Sequence, residues 1–140
     1  MRSGEQEPGK YQGAWSIPRL TPRVARWIRI FTGDEDQSHF SVSEIEWNDT
    51  QALNAISKSE QAKTISCEET AEGASLDWHN VPHRQYVITL SGRPELETRT
   101  GARQVLEPGD ILLAEDTSAG GHRWRLVDHH PWRRVDVTVS

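Results

Sequence analysis

The sequence predicts an all-β protein folded as a sandwich or a small barrel. From residue 62 onward, eight short segments of β-type composition follow one another at close spacing, separated by Gly, Pro, Asn or Asp. Only one earlier segment has helical periodicity. Ten glycines and a hydrophobic content of 34% fit a loop-rich soluble domain of this type.

The first part of the chain predicts an arm followed by strands. Residues 1–13 are rich in Gly, Glu and Gln and have almost nothing to bury, so we expect a flexible N-terminal arm. Residues 14–140 have the length of one domain. Within it, the alternating apolar residues of segments 23–33 and 38–47 predict two strands.

One short helix is predicted over residues 48–61. Asn48 or Asp49 can cap its N-terminus, and Ala52, Leu53 and Ile56 share one face. We expect this helix to pack on the outside of a sheet.

The rest of the chain predicts strands joined by tight turns. Thr100-Gly101 predicts a two-residue hairpin connection, because glycine supplies the positive φ that such turns need. The "EPGD" stretch at 107–110 predicts another turn. The eight predicted strands are 62–70, 76–80, 84–91, 94–99, 102–107, 110–115, 122–127 and 133–139.

Charge and hydropathy argue against two classes of partner. A net charge of −5 disfavours nucleic acid, which needs a positive surface. No apolar run approaches the roughly 18 residues of a membrane span, so we expect no membrane contact. The one basic stretch, around Trp27, is interpreted as an edge or interface segment with solvated arginines; these are Arg19, Arg23, Arg26 and Arg29.

The single cysteine excludes an internal disulfide and fits a reducing compartment. We therefore expect a cytoplasmic protein. Cys67 itself is interpreted as a small buried thiol rather than a nucleophile, because no motif around it supplies an activating base.

Two motifs resemble the signatures of the cupin superfamily. The first is "GASLDWHNVPHRQYVITLSG", residues 73–92, and the second is "PGDILLAEDTSAGGH", residues 108–122. Aligned on the closing glycine, the first motif places His79 at the first histidine, Val81 at the second histidine and Gln85 at the glutamate. The second motif places His122 at the last family ligand. The resemblance implies an antiparallel jelly-roll barrel with these side chains in its interior.

Strand geometry points the same residues toward one pocket. Same-parity residues of a strand share a face, which groups Gln85 with Val87 and Thr89, and His122 with Trp124. With His79 they would converge on a cavity suited to one small molecule. The opposite face of 84–91 is also largely apolar, which indicates cover by the N-terminal arm or by the partner in a symmetric homodimer.

The chemistry of this pocket depends on whether a metal is bound. Two imidazoles favour a divalent transition metal such as Fe, Mn, Ni, Cu or Zn, held by His79, Gln85 and His122. Gln85, however, supplies a neutral oxygen where the iron facial triad has a carboxylate. A metal-bound site and a metal-free site therefore remain equal alternatives. His83 would replace the missing imidazole if Pro82 does not reverse the chain. The alternative is that His79 and His122 are hydrogen-bonded barrel residues without a ligand role.

We expect a small-molecule enzyme that performs non-redox proton transfer, as an isomerase, lyase, dehydratase or cyclase does. The alternatives are a metal-dependent dioxygenase and a non-catalytic module that binds a small metabolite. The catalytic candidates are His79, His122 and Gln85, assisted by His83, Asp116 or Glu115. The candidates for substrate binding are Trp124, Val87, Thr89 and Val81. Gly120-Gly121 is expected to give the loop before His122 the freedom of a hinge.

Overall fold

A computed structural model describes residues 26–51 and 54–140, and within these ranges it contains twelve strands and no helix. None of the described residues therefore forms a helix long and apolar enough to cross a bilayer. In chain order the strands are β1 (Arg26–Thr32), β2 (Ser38–Glu44), β3 (Asp49–Gln51), β4 (Asn54–Ile56), β5 (Ala62–Thr70), β6 (Ser75–His79), β7 (Gln85–Ser91), β8 (Pro94–Thr98), β9 (Arg103–Val105), β10 (Ile111–Glu115), β11 (His122–Leu126) and β12 (Trp132–Val139).

The chain divides into two compact units. The larger unit comprises residues 25–44 and 59–140 and holds β1, β2 and β5 to β12. The smaller unit comprises residues 1–24 and 45–58, and its described part contains β3 and β4. The predicted arm over residues 1–13 and the start of the domain at residue 14 lie outside the described residues and stay predictions.

The predicted helix over residues 48–61 is wrong. In its place β3 and β4 form an antiparallel pair, and the Asn48 N–H donates to the carbonyl of Ile56 over 2.9 Å. The segment has few apolar residues and is at the length at which isolated helices are marginal. It is also rich in Asn, Asp, Ser and Thr, whose side chains compete for backbone hydrogen bonds in non-helical conformations.

The larger unit is an all-β jelly roll of two sheets, as predicted. One sheet has six strands in the order β2-β1-β10-β7-β12-β5, and the other has four in the order β6-β11-β8-β9. One pairing departs from the antiparallel arrangement, because β1 runs parallel to β10. Parallel strands cannot be joined by a tight hairpin and need a long connection, and β1 and β10 lie far apart in the sequence.

The inner faces of the two sheets supply one hydrophobic core. Ile28 and Leu112 come from the six-stranded sheet and Leu96 from the four-stranded sheet, and all three are at most 3% exposed. Trp124 and Trp132 connect the two sheets with an edge-to-face contact at 5.1 Å between ring centroids. Each fully buried aliphatic side chain stabilises the fold by roughly 1.5–3 kcal/mol.

In the hairpin between β8 and β9, three residues rather than the predicted two connect the hydrogen-bonded pair Thr98 and Ala102. The Thr98 carbonyl accepts from the Gly101 N–H over 3.0 Å, and the Thr98 N–H donates to Ala102 over 2.9 Å. Gly101 has φ of 92°. A turn followed by a left-handed glycine is a common three-residue hairpin, so the glycine was identified correctly and the loop length was not.

The predicted turn at 107–110 is confirmed. The Asp110 N–H donates to the Glu107 carbonyl over 2.9 Å, and Gly109 has φ of 96°. Pro108 before this glycine fits a type II turn, which requires a positive φ at its third residue.

Cys67 is exposed, which corrects the prediction of a buried thiol. It lies on β5, the edge strand of the six-stranded sheet, opposite Val135 on the outward face. An edge strand has a neighbour on one side only, so its outward side chains have less cover.

The arginines that the structure describes in the basic segment lie in ion pairs. Arg26 pairs with Asp110 at 2.6 Å, and Arg29 pairs with Glu115. Arg19 and Arg23 lie outside the described residues.

Candidate functional site

A cavity of about 520 Å³ lies between the two sheets of the larger unit. This volume is within the range of small-molecule sites. Its wall combines apolar side chains with two groups of polar ones. The lining residues include His79, Gln85, His122, Trp124, Arg134 and Asp136.

The two histidines of the predicted site lie side by side in this cavity. β11 pairs antiparallel with β6, and His122 is the direct partner of His79 in the register. Directly opposed residues of two paired strands point to the same face. The imidazole centroids are accordingly 4.5 Å apart, with the ring planes at 58°.

A buried carboxylate orients His122. The His122 Nδ1–H donates to Asp116 Oδ2 over 2.6 Å, and the Ser38 hydroxyl donates to the same oxygen over 2.9 Å. Asp116 is fully buried and His122 is 3% exposed. Because a carboxylate acceptor requires the proton on Nδ1, the neutral ring has an unprotonated Nε2, which makes no hydrogen bond to any described residue.

His79 is anchored in a similar way by the backbone. Its Nδ1–H donates to the carbonyl of Asp77 over 2.7 Å. Burial lowers the pKa of His79, the Asp77 carbonyl opposes that effect, and the neighbouring His122 lowers the pKa further. His79 is therefore neutral at pH 7, with an Nε2 lone pair available to a ligand.

Four further predicted residues line the same cavity. Gln85 and Val87 approach from β7, Trp124 from β11, and Val81 from the connection between β6 and β7. Their positions agree with the parity of the predicted strands, since Val87 is buried while Leu90 is 59% exposed on the opposite face.

Two of the assisting residues lie elsewhere. Glu115 is on the outward face of β10, where it pairs with Arg29 and, at 2.6 Å, with Arg84. Burial raises the pKa of Glu115, but the two arginines outweigh it and hold the pKa below its usual value. His83 is exposed in the bend between β6 and β7 and does not line the cavity, so it does not replace the missing imidazole.

Thr89 faces inward but is not part of the cavity wall. It is fully buried, and its hydroxyl accepts a hydrogen bond from Trp132 Nε1 over 3.2 Å. Its role in the structure is to accept the hydrogen bond of the buried Trp132 indole N–H, which corrects the prediction of a substrate contact.

Gly121 is a packing residue rather than part of a hinge. It is buried, has φ of 69°, and a Cβ at this position would lie 2.2 Å from the carbonyl oxygen of His79. Only glycine permits this approach of the β11 entry to the end of β6. The close contact holds the two histidines in place.

A second polar group in the cavity was not found from the sequence. Arg134 donates through Nη1 to Thr70 Oγ1 over 3.0 Å and pairs through Nη2 with Glu68 at 3.0 Å. Its guanidinium carbon lies 3.8 Å from the ring centroid of Trp132. Asp136 is the next inward residue of β12.

The sequence contained a signal for this group, but an ambiguous one. In "WRRVDVTV" the polar Arg134, Asp136 and Thr138 alternate with Val135 and Val137. The usual interpretation turns the valines inward and the charges toward solvent. The structure has the opposite arrangement, because Arg134 and Asp136 are each 8% exposed and line the cavity.

The histidine pair fits a metal only in part. Both Nδ1 atoms are held by hydrogen bonds, as metal-ligating histidines commonly are, and both Nε2 atoms are free to bind. Gln85 would be the third ligand. The described ranges contain no group of three or more His, Cys, Asp or Glu side chains placed to hold a metal ion.

Comparison with known proteins gives several distant structural likenesses. No family model matches the chain, and no curated protein matches it. A conserved protein of unknown function from Streptococcus pyogenes is 18% identical, with a TM-score of 0.42 over 63% of this chain and 71% of that one. A Cupin_2 domain of an XRE-family transcriptional regulator from Enterobacter cloacae is 16% identical, with a TM-score of 0.33 over 83% of this chain and 97% of that one. At these TM-scores neither likeness bears on function.

Proposed function

We propose that the protein is a cupin-type enzyme that moves a proton on a small organic substrate inside the cavity, without redox chemistry. Isomerisation, elimination, dehydration and cyclisation are the reactions of this class. The observation that carries the proposal is the buried Asp116–His122 hydrogen bond of 2.6 Å, which leaves His122 Nε2 free beside the neutral imidazole of His79.

The arrangement supports a division of roles. His122 Nε2 is the general base, and the Asp116 carboxylate stabilises the imidazolium that forms when the ring takes a proton. The His122 imidazolium then returns that proton to another atom of the substrate, while His79 Nε2, 4.5 Å away between ring centroids, accepts a hydrogen bond from a substrate hydroxyl. The Gln85 amide offers a neutral donor to a substrate oxygen.

Deuterium exchange tests this function without a known substrate. A panel of small ketones, keto acids, aldoses and amino ketones is incubated with the protein in D₂O, and deuterium at carbon is followed by mass spectrometry. We expect exchange into at least one compound and a loss of 10²-fold or more in His122→Ala. His129→Ala, which removes an exposed histidine, is the matched control. Absence of exchange from every compound, or equal exchange by His122→Ala, refutes the proposal.

A metal-dependent dioxygenase is the second candidate, favoured by the two anchored imidazoles with free Nε2 atoms. His79, His122 and Gln85 would hold the metal, and the metal would supply oxygen activation. Elemental analysis of purified protein and oxygen consumption with added Fe(II) test this candidate. It is abandoned if neither stoichiometric metal nor oxygen uptake is found.

A non-catalytic module that binds a small metabolite is the third candidate, favoured by the cavity itself. In that case His79→Ala and His122→Ala weaken ligand affinity, and there is no turnover to lose. We further propose a cytoplasmic location, because the free and exposed thiol of Cys67 is stable in a reducing compartment.

A further inference from the structure

The polar group on β5 and β12 makes its side of the cavity negative. Arg134 is the one cation of this group, and its two Nη atoms are already engaged by Thr70 and Glu68. Asp136 adds a second carboxylate. With Arg134, Glu68 and Asp136 all ionised, the group has a net charge of −1. It offers no free guanidinium edge to an anion.

Asp136 has an unused acceptor. Its Oδ1 is buried and makes no hydrogen bond within the described part of the chain. The nearest cationic atom, Arg134 Nε, is 3.7 Å away, which is too long for a hydrogen bond. Buried polar atoms nearly always have a partner, so an unpartnered carboxylate oxygen in a cavity wall requires an explanation.

The cavity that holds this acceptor also has an aromatic wall. The face of Trp132 is taken by Arg134, and Trp124 meets Trp132 edge to face at 5.1 Å. Trp124 itself lines the cavity, and no cation of the described residues lies over its ring. An aromatic ring and a carboxylate in the wall of one cavity suit a ligand with an ammonium group on an apolar body.

We propose that the cavity takes a small amine, whose ammonium group donates to Asp136 Oδ1 while its apolar part packs on Trp124. A small amine would be the substrate class of the proposed enzyme. The inference of an amine rests on the proposed function only for the choice of cavity. The histidine pair then lies against the part of the ligand that reacts.

Acidity should weaken the amine's binding. The groups facing Asp136 are Arg134 on its own strand, Glu68 on β5, and the cavity histidines His79 and His122 of the opposite sheet. Burial raises the pKa of Asp136 to about 6, Arg134 opposes the rise, and Glu68 adds to it. Amine affinity therefore falls as the pH drops below about 6, because the carboxyl becomes neutral.

The test compares benzylamine, benzyl alcohol and benzoate at pH 7.5 by titration of the tryptophan indole N–H signals in NMR spectra. We expect benzylamine to bind at least tenfold more tightly than the alcohol, and benzoate to bind most weakly. Asp136→Asn should reduce benzylamine affinity at least tenfold, leave the alcohol unchanged and flatten the pH profile. Glu69→Gln is the matched control, since Glu69 is exposed on the outward face of β5 and pairs with Arg133.

Three results overturn the proposal: equal affinity for benzylamine and benzyl alcohol, tightest binding of benzoate, or unchanged benzylamine affinity in a folded Asp136→Asn protein. Glu68→Gln provides a second variant if Asp136→Asn does not fold, and it should reduce benzylamine affinity about threefold, because the Glu68 side chain is 56% exposed. The readout is binding, so it separates this proposal from proton transfer. Amine selectivity without deuterium exchange supports the amine site alone, and exchange without amine selectivity supports the catalytic proposal alone.

Discussion

The contact between Gly121 and His79 gives the sharpest prediction about the site. Gly121→Ala places a Cβ 2.2 Å from the His79 carbonyl oxygen, 2.8 Å from its carbon and 3.1 Å from Asn80 Nδ2. Two of these atoms belong to backbone, so the end of β6 has to move. Positive φ costs an alanine about 1–2 kcal/mol, and overpacking costs about 1–3 kcal/mol more. We expect a total loss of about 2–5 kcal/mol.

Gly101→Ala is the control that isolates the contact. Gly101 has φ of 92°, and a Cβ there would meet nothing within 4 Å. Its substitution should cost only the backbone part, about 1–2 kcal/mol. Thermal unfolding measures both, with a fall in Tm of about 4 °C for each kcal/mol in a domain of this size. Equal Tm values for the two variants would contradict the close approach and, with it, the paired imidazoles.

Three other predictions follow from single contacts. In Asp116→Asn the acceptor for Nδ1–H is weakened, so ¹⁵N NMR should show His122 shifting toward the Nε2–H tautomer; an unchanged tautomer contradicts the assigned role of Asp116. The folded-state pKa of Asp136 is raised from 3.8 to about 6, so the folded state binds the proton more tightly. Stability should therefore fall by up to about 3 kcal/mol as pH rises from about 4 to about 6, a fall that urea titrations would show in wild type but not in Asp136→Asn. The predicted homodimer is tested by Leu90→Glu, which charges a 59% exposed outward side chain and should lower the mass in solution from dimer to monomer.

The strands of the larger unit could be predicted because their signals are local. Gly, Pro and Asp mark their ends, and alternation marks their faces, so the ranges from β5 to β12 agree with the sequence to within a few residues. The segment 48–61 could not be predicted in this way. Its few apolar residues fit helical spacing, but hydrogen bonding between β3 and β4 decided its structure.

The site shows what strand parity does and does not determine. Parity alone places Glu115 outward, because Leu112 and Ala114 of the same strand are buried inside. Asp116 follows the end of β10, and the alternation brings it back inward to His122. Thr89 has the correct parity but is covered by Trp132. For these residues strand parity gives the direction of the side chain, whereas access to the cavity depends on which distant side chain packs there.

The inward charges of β12 are the feature that sequence patterning misjudges most, and they also favour a ligand-binding role over a structural one. A strand that turns Val135 and Val137 outward and Arg134 and Asp136 inward loses apolar burial and gains a carboxylate whose pKa is raised to about 6. Hydrophobic residues at both positions would give a more stable core. The arrangement is best explained if a bound cation completes the hydrogen bonding of Asp136, since the ligand then recovers part of the stability that the empty cavity lacks.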